Sequence, residues 1–289
     1  MSLSQKTEDP KSMQIKYLGT AAAEGIPGLF CHCENCRRAR ELGGHNLRSR
    51  SQALVNNKIL IDWPADTYMH MIDNAIDYAC ISTLLVTHTH SDHFYPADLA
   101  MRRPGFAHID DCKPLDIYGS EDIRPEIENH VEKWPENSPN LIRVHTAAPR
   151  VTFEAEGCLI TPFEAAHGTQ HPYVYVIESG QKALLYAHDT DIFDDDVWNF
   201  IKNRGWRFDF VSLDCTNGTK PIDYRGHMDL ERNRKFRELL TGLGAAGENT
   251  VFCLNHFSHN AENALYDDMA AIAEKEGLLV SYDGMEYDF

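Results

Sequence analysis

Four side chains of the kinds that bind divalent metals fall within six positions of the segment LLVTHTHSDH: His88, His90, Asp92 and His93. Imidazole and carboxylate suit zinc, manganese or iron at neutral pH. A lone histidine at a strand end is ordinarily a satisfied core or surface group. Four donors in so short a loop point instead to a metal centre. Two metals need at least six protein ligands, so others must come from distant segments. His167 in FEAAHGT, Asp189 in LLYAHDT and His256 in VFCLNHFSH end later strand-like runs and are the candidates.

A second cluster lies nearer the N-terminus. In FCHCENC, Cys31, Cys33 and Cys36 have the spacing C-x-C-x2-C. Neighbours this close rarely reach disulfide geometry. Three-quarters of a tetrahedral metal site is one reading, and a redox or sensing thiol cluster is the other. Cys80, Cys158 and Cys253 sit in apolar, strand-like stretches and are expected as small buried thiols.

The elements that must position these groups follow from periodicity. Short apolar runs with β-branched residues predict strands at 13–18, 53–55, 59–61, 81–86, 115–118, 158–160, 174–177, 183–187, 208–213, 251–254 and 278–280. Phe236, Leu239, Leu240 and Leu243 predict a helix over about 228–243, residues 261–275 another, and Pro96 a helix start after the histidine loop. Many strands with few helices predict two sheets face to face with helices outside, in one domain spanning 1–289. The polar leader 1–13 stands apart from it.

The 289 residues suffice for one large core, and 43% hydrophobic with 25% charged residues is ordinary for a globular chain. No apolar run nears the ~20 residues of a membrane span, so the expected setting is cytoplasmic, without a membrane partner. A net charge of −17 disfavours broad nucleic-acid binding. The arginines 37, 38, 40, 48 and 50 form one local basic run, expected as a solvated face.

YLGTAAAEGIPGLFCHCENC, THTHSDH, DCT followed by RGHMDL, LNHFSH and the terminal YDGMEYDF occur in that order. In these motifs the chain resembles the metallo-β-lactamase fold superfamily from about residue 14 onward, most closely the cyclic phosphodiesterases associated with carbon–phosphorus lyase. The resemblance implies an α/β (α+β), four-layer αββα sandwich. It implies that His88, His90 and His167 bind one metal, that Asp92, His93 and His256 bind a second, and that Asp189 bridges both. The two divalent cations would be manganese or zinc. Cys31, Cys33, Cys36 and His259 would hold a third, structural zinc. Asp62 in ILIDWPAD would orient the histidines, although Trp63 and Pro64 follow it where the family has small residues.

The implied reaction is hydrolysis of a small cyclic phosphodiester, of the ribose 1,2-cyclic phosphate or 2′,3′-cyclic nucleotide type. Hydroxide held between the metals would attack phosphorus, and His227 in RGHMDL would protonate the leaving oxygen. A homodimer and a role in phosphonate metabolism are further implications. Hydrolysis of a lactone or thioester, RNA processing, and a non-catalytic carrier role in quinone-cofactor biosynthesis are the alternatives. His171 and His188 are outside the implied ligand set. Segment 94–149, with Arg102, Arg103, His108 and Trp134, is expected to shape the substrate pocket.

Overall fold

The computed structural model describes residues 12–109, 113–131 and 141–289. One seven-stranded sheet contains β1 (Gln14–Gly19), β2 (Gln52–Val55), β3 (Ile59–Ile61), β4 (Thr83–Leu85), β5 (Leu115–Gly119), β6 (Ile142–Thr146) and β14 (Glu286–Asp288), in the order β14-β1-β2-β3-β4-β5-β6. The other contains β7 (Phe153–Ala155), β8 (Cys158–Glu164), β9 (Tyr173–Ser179), β10 (Lys182–Ala187), β11 (Phe210–Asp214), β12 (Val251–Asn255) and β13 (Leu279–Val280), in the order β13-β12-β11-β10-β9-β8-β7. Strands β3 to β6 run parallel, as do β10 to β13.

Side-chain alternation along the strands builds the layers. Leu85 and Leu184 point between the sheets, with Ile61, Tyr175, Tyr186 and Phe210. Leu84, one residue away, packs outward with Leu60, Ile117, Leu99 and Ile123. Leu185 packs outward on the second sheet with Val197, Trp198, Phe236 and Met269. Those last four belong to α4 (Asp195–Arg204), α5 (Leu230–Gly242) and α6 (Tyr266–Ala273). The result is the expected sandwich of two mixed sheets with helices outside.

Several details differ from the sequence expectations. Three further helices form, α1 (Glu34–Leu42), α2 (Thr67–Asn74) and α3 (Ile123–Glu128), and α4 was not anticipated either. The segment after the histidine loop, Pro96–Arg102, is a 3-10 helix. Helix α6 starts at Tyr266 because Asn263, at φ +52°, breaks the turn that precedes it. Cys80 is exposed, in a 3-10 turn rather than a strand. Met13, assigned to the leader, is buried in the inter-sheet core. The rest of the leader up to residue 11, and Trp134, lie outside the described residues.

The arginine run is a solvated face only in part: Arg37 and Arg40 are exposed, whereas the others are engaged. Arg48 is 3% exposed and donates to Thr20 Oγ1 and the Ser281 carbonyl. Arg38 pairs with Asp268, and Arg50 pairs with Asp66.

Candidate metal centre

The parallel strands deliver the chemistry at their C-terminal ends, where open α/β sheets place their ligands. Asp62 follows β3, the histidine loop follows β4, Asp189 follows β10, and His256 follows β12. Asp62, Asp189 and His256 have φ of +68°, +47° and +63°. Each sits in the left-handed region that costs a non-glycine residue stability and is held there by its surroundings.

These turns bring the donors together. Asp189 Oδ2 lies 3.1 Å from His88 Nε2 and 2.9 Å from His93 Nε2. His90 Nδ1 is 3.0 Å from His88 Nε2 and 3.3 Å from His167 Nε2. His93 Nε2 and His256 Nε2 are 3.1 Å apart, with Asp92 Oδ2 3.4 Å from His93. His88, His90, His167 and Asp189 form one group of donor atoms within 4.8 Å of one another; Asp92, His93, Asp189 and His256 form a second. Asp189 is common to both. Its Oδ1 is buried and makes no well-formed hydrogen bond, although the His227 and His256 Nδ1 atoms lie 3.3 and 3.2 Å away, and so it keeps lone pairs for a cation. The residues present therefore fit a pair of divalent metals.

The outward ring nitrogens are tied down, which fixes how each imidazole presents its other nitrogen. His93 Nδ1 lies 2.7 Å from Asp62, and Asp62 also accepts from the Thr87 amide. His167 Nδ1 is 3.0 Å from the Gly226 carbonyl, and His256 Nδ1 is 2.8 Å from Thr216 Oγ1. Burial lowers the His88 pKa to about 4, so the ring is neutral and able to bind a metal.

His227 stands at the edge of this cluster, its Nδ1 3.0 Å from Asp214 Oδ2 and 3.3 Å from Asp189 Oδ1. Burial alone would lower its pKa, but the facing Asp214 and Asp189 carboxylates outweigh burial and raise it to about 9. Asp214 was not among the sequence candidates, although its DCT motif was recognised. Its oxygens take hydrogen bonds from the Thr216 and Met228 amides and from Thr216 Oγ1. Asp214 also forms a further four-donor group with Asp189, His227 and His256, and it holds the His227 ring through Nδ1. The cleft over the cluster has a volume of about 300 Å3 and is lined by His90, Asp92, His167, Asp189, His227 and His256 together with Glu24, Asn217, Tyr224, Ser258 and Asn260. A larger apolar cavity of about 560 Å3 lies on the outer side of the first sheet, beneath Trp63 and Leu99, and contains none of these donors.

The cysteine cluster is separate. Cys31 Sγ and Cys33 Sγ lie 3.5 and 3.6 Å from His259 Nδ1, and Cys36 completes a four-donor group within 4.8 Å. All three thiols are free of disulfides. A Cβ at Gly28 would fall 3.0 Å from the His259 ring, so glycine permits this close approach. Three sulfurs and one imidazole, with no fifth position contributed, fit a closed tetrahedral zinc site. His188 is buried against Ser212 Oγ at 2.7 Å, and His171 is exposed beside Asp122; neither joins the donor groups.

Residues 58–256 match the model of the beta-lactamase superfamily domain. An octanoyltransferase of Porphyromonas gingivalis is 23% identical over 93% of this chain and 53% of its own length. The chain spans about half the length of the curated relatives it matches. Among solved structures, a new diphosphatase from the PhnP family superposes with a TM-score of 0.72 at 20% identity, covering 96% of this chain and 98% of that one. Zn(2+)-bound PqqB from Methylobacterium extorquens gives 0.73 at 18% identity, covering 96% and 100%. At such identities these two likenesses speak for the fold. Among the described residues, no helix is long and apolar enough to cross a membrane.

Proposed function

This chain belongs to the beta-lactamase superfamily, and we propose that it is a metal-dependent hydrolase that opens small cyclic phosphodiesters. The observation that carries this reading is that Asp189 is shared by three four-donor groups, two of them built on the histidine-loop ligands and the third made of Asp189, Asp214, His227 and His256. His88, His90, His167 and Asp189 would hold one divalent ion, and Asp92, His93, His256 and Asp189 the other. When bound, manganese or zinc ions supply charge stabilisation to phosphoryl oxygens and make an attacking water more acidic. Cys31, Cys33, Cys36 and His259 would hold a structural zinc, bracing the turn that carries His256.

The protein groups divide the remaining work. Ring opening forms a bond from the water oxygen to phosphorus and breaks one ring P–O bond, and the departing alkoxide needs a proton. His227 has Nδ1 engaged by Asp214, whose carboxylate favours the charged ring, and this leaves Nε2 to give that proton. Asp62, through His93, holds the ligand geometry while this occurs.

Phosphorus NMR of protein holding two active-site metals, incubated with a five-membered cyclic phosphodiester, tests the proposal. Ring opening by the native chain and not by Asp189→Ala is the expected result. No ring opening, from protein with both metals in place, would favour lactone or thioester hydrolysis instead.

A further inference from the structure

The cleft over the donor cluster offers almost no counter-charge for a second anion. Among the described residues lining it there is no lysine and no arginine. Beyond the metal-type donors and His227, its one charged side chain is Glu24. That carboxylate is exposed but not loose. Asn260 Nδ2 donates to one oxygen at 3.1 Å and Ser258 Oγ to the other at 3.4 Å. Its backbone is fixed as well: the Gly25 amide donates to the Ala22 carbonyl at 3.0 Å, and Arg50 Nε donates to the Ala23 carbonyl at 2.8 Å. Arg225 lies in an adjoining hollow that shares His167, and its guanidinium is paired with Asp194 at 2.7 Å.

We propose that Glu24 sets the charge selectivity of this cleft, so that the diester it accepts carries no second phosphate and presents hydroxyl groups to the Glu24 carboxylate. This rests on the hydrolase reading above and narrows it. A diester has one negative charge, which divalent ions held by the donor groups would neutralise. A further phosphomonoester would bring about two more charges toward a fixed carboxylate, with no lysine or arginine among the described lining residues to receive them. A sugar or glycerol hydroxyl, by contrast, donates to a carboxylate and gains a charge-assisted hydrogen bond. Nucleoside cyclic phosphates and unphosphorylated sugar cyclic phosphates therefore fit, whereas their phosphorylated counterparts are disfavoured.

The experiment compares adenosine 2′,3′-cyclic phosphate with the same molecule carrying a 5′-phosphate, using the metal-loaded full chain as wild type, Glu24→Gln and Glu24→Lys. Wild type is expected to favour the unphosphorylated substrate about tenfold in kcat/KM, mainly through KM, and more strongly at low salt. Glu24→Gln reduces the ratio to about threefold and Glu24→Lys reverses it. Calorimetric affinities for the corresponding adenosine monophosphate and bisphosphate products supply a readout independent of turnover, and should show the same order. A wild-type preference for the phosphorylated compounds, or a preference that the Glu24 variants do not move, overturns the proposal. If neither substrate is opened by protein holding two metals, the hydrolase reading falls, while the product affinities still decide the role of Glu24.

Discussion

The carboxylate of Asp62 lies 2.7 Å from His93 Nδ1, and Asp62 itself is held at φ +68° with no solvent exposure. Two further bonds, from the Thr87 amide at 2.8 Å and Thr87 Oγ1 at 2.9 Å, lock the carboxylate in place. The pair thus joins the end of β3 to the loop after β4 and turns His93 Nε2 toward Asp189 and His256. A charged acceptor behind a ligating imidazole fixes its tautomer and increases its basicity.

Asp62→Asn keeps the shape but removes that charge. The variant should fold, and its affinity for the second active-site metal should fall about 10- to 100-fold, within the range for such supporting groups. Competition with a chelator of known affinity measures this directly. Native affinity in the variant would show that the carboxylate's charge contributes nothing to the site.

The cysteine cluster joins two distant parts of the chain. Cys33 caps α1, with its Sγ accepting from the Cys36 amide at 3.4 Å, and His259 lies three residues after His256. Cys33→Ala should therefore lose one tightly bound zinc per chain, lower the melting temperature, and weaken metal binding at the active site through the displaced His256 turn. Elemental analysis after dialysis reads the first effect. An unchanged zinc count would exclude Cys33 from a metal site.

His227 touches Asp214 and Asp189 but, of its donor atoms, only Nδ1 engages them. With His227→Ala, the seven proposed ligands remain, so both metals should stay bound. Turnover of a substrate with an alkoxide leaving group should drop about 100- to 10,000-fold, the usual contribution of a general acid. A nitrophenyl diester, whose leaving group needs no proton, should be far less affected. Equal losses on both substrates would assign His227 a structural role.

The metal centre was legible because its donors stand at the ends of apolar runs, where strand termination and ligand type coincide. His88, His90, Asp92 and His93 announced themselves by density alone. Asp214 did not, being one acidic residue among 44 at the end of an unremarkable strand, with a role that depends on where the 216–228 loop returns. Glu24 was hidden for the same reason, since its partners Ser258 and Asn260 are more than 230 positions away. The misreading of Arg48 has a different cause. Clustered arginines suggest a wet face, whereas Arg48 spans the interior to Thr20 and Ser281 and stacks 4.4 Å above the Phe257 ring. The missed strands β6, β7 and β14 are short, partly exposed segments at sheet edges, and β14 pairs with β1 at the other end of the sequence. In α4, Val197, Trp198 and Ile201 do follow a helical stripe, but it spans little more than one turn behind the acidic residues 191 and 194–196.

His70, on α2, is 2% exposed, with Nδ1 2.7 Å from Gln52 Oε1 and Nε2 2.7 Å from Ser49 Oγ. Burial lowers its pKa from the ordinary 6.5 to about 4, despite Asp66 and Asp73 nearby. In the unfolded chain this histidine gains a proton as pH falls through about 6.5, whereas in the folded chain it does so only near 4. The unfolded state therefore binds the extra proton throughout that interval, and the contribution of His70 to folding stability declines from about pH 6.5 to about pH 4, then levels off. At about 1.4 kcal/mol per unit, the shift amounts to about 3 kcal/mol from this one ring. His70→Gln retains an amide that can reach Gln52 or Ser49 but has no proton to gain. Its denaturation free energy should consequently vary less across that interval than the wild type's, whatever its value at neutral pH. Parallel curves for the two proteins would mean that His70 is already charged in the folded state, with both ring nitrogens donating.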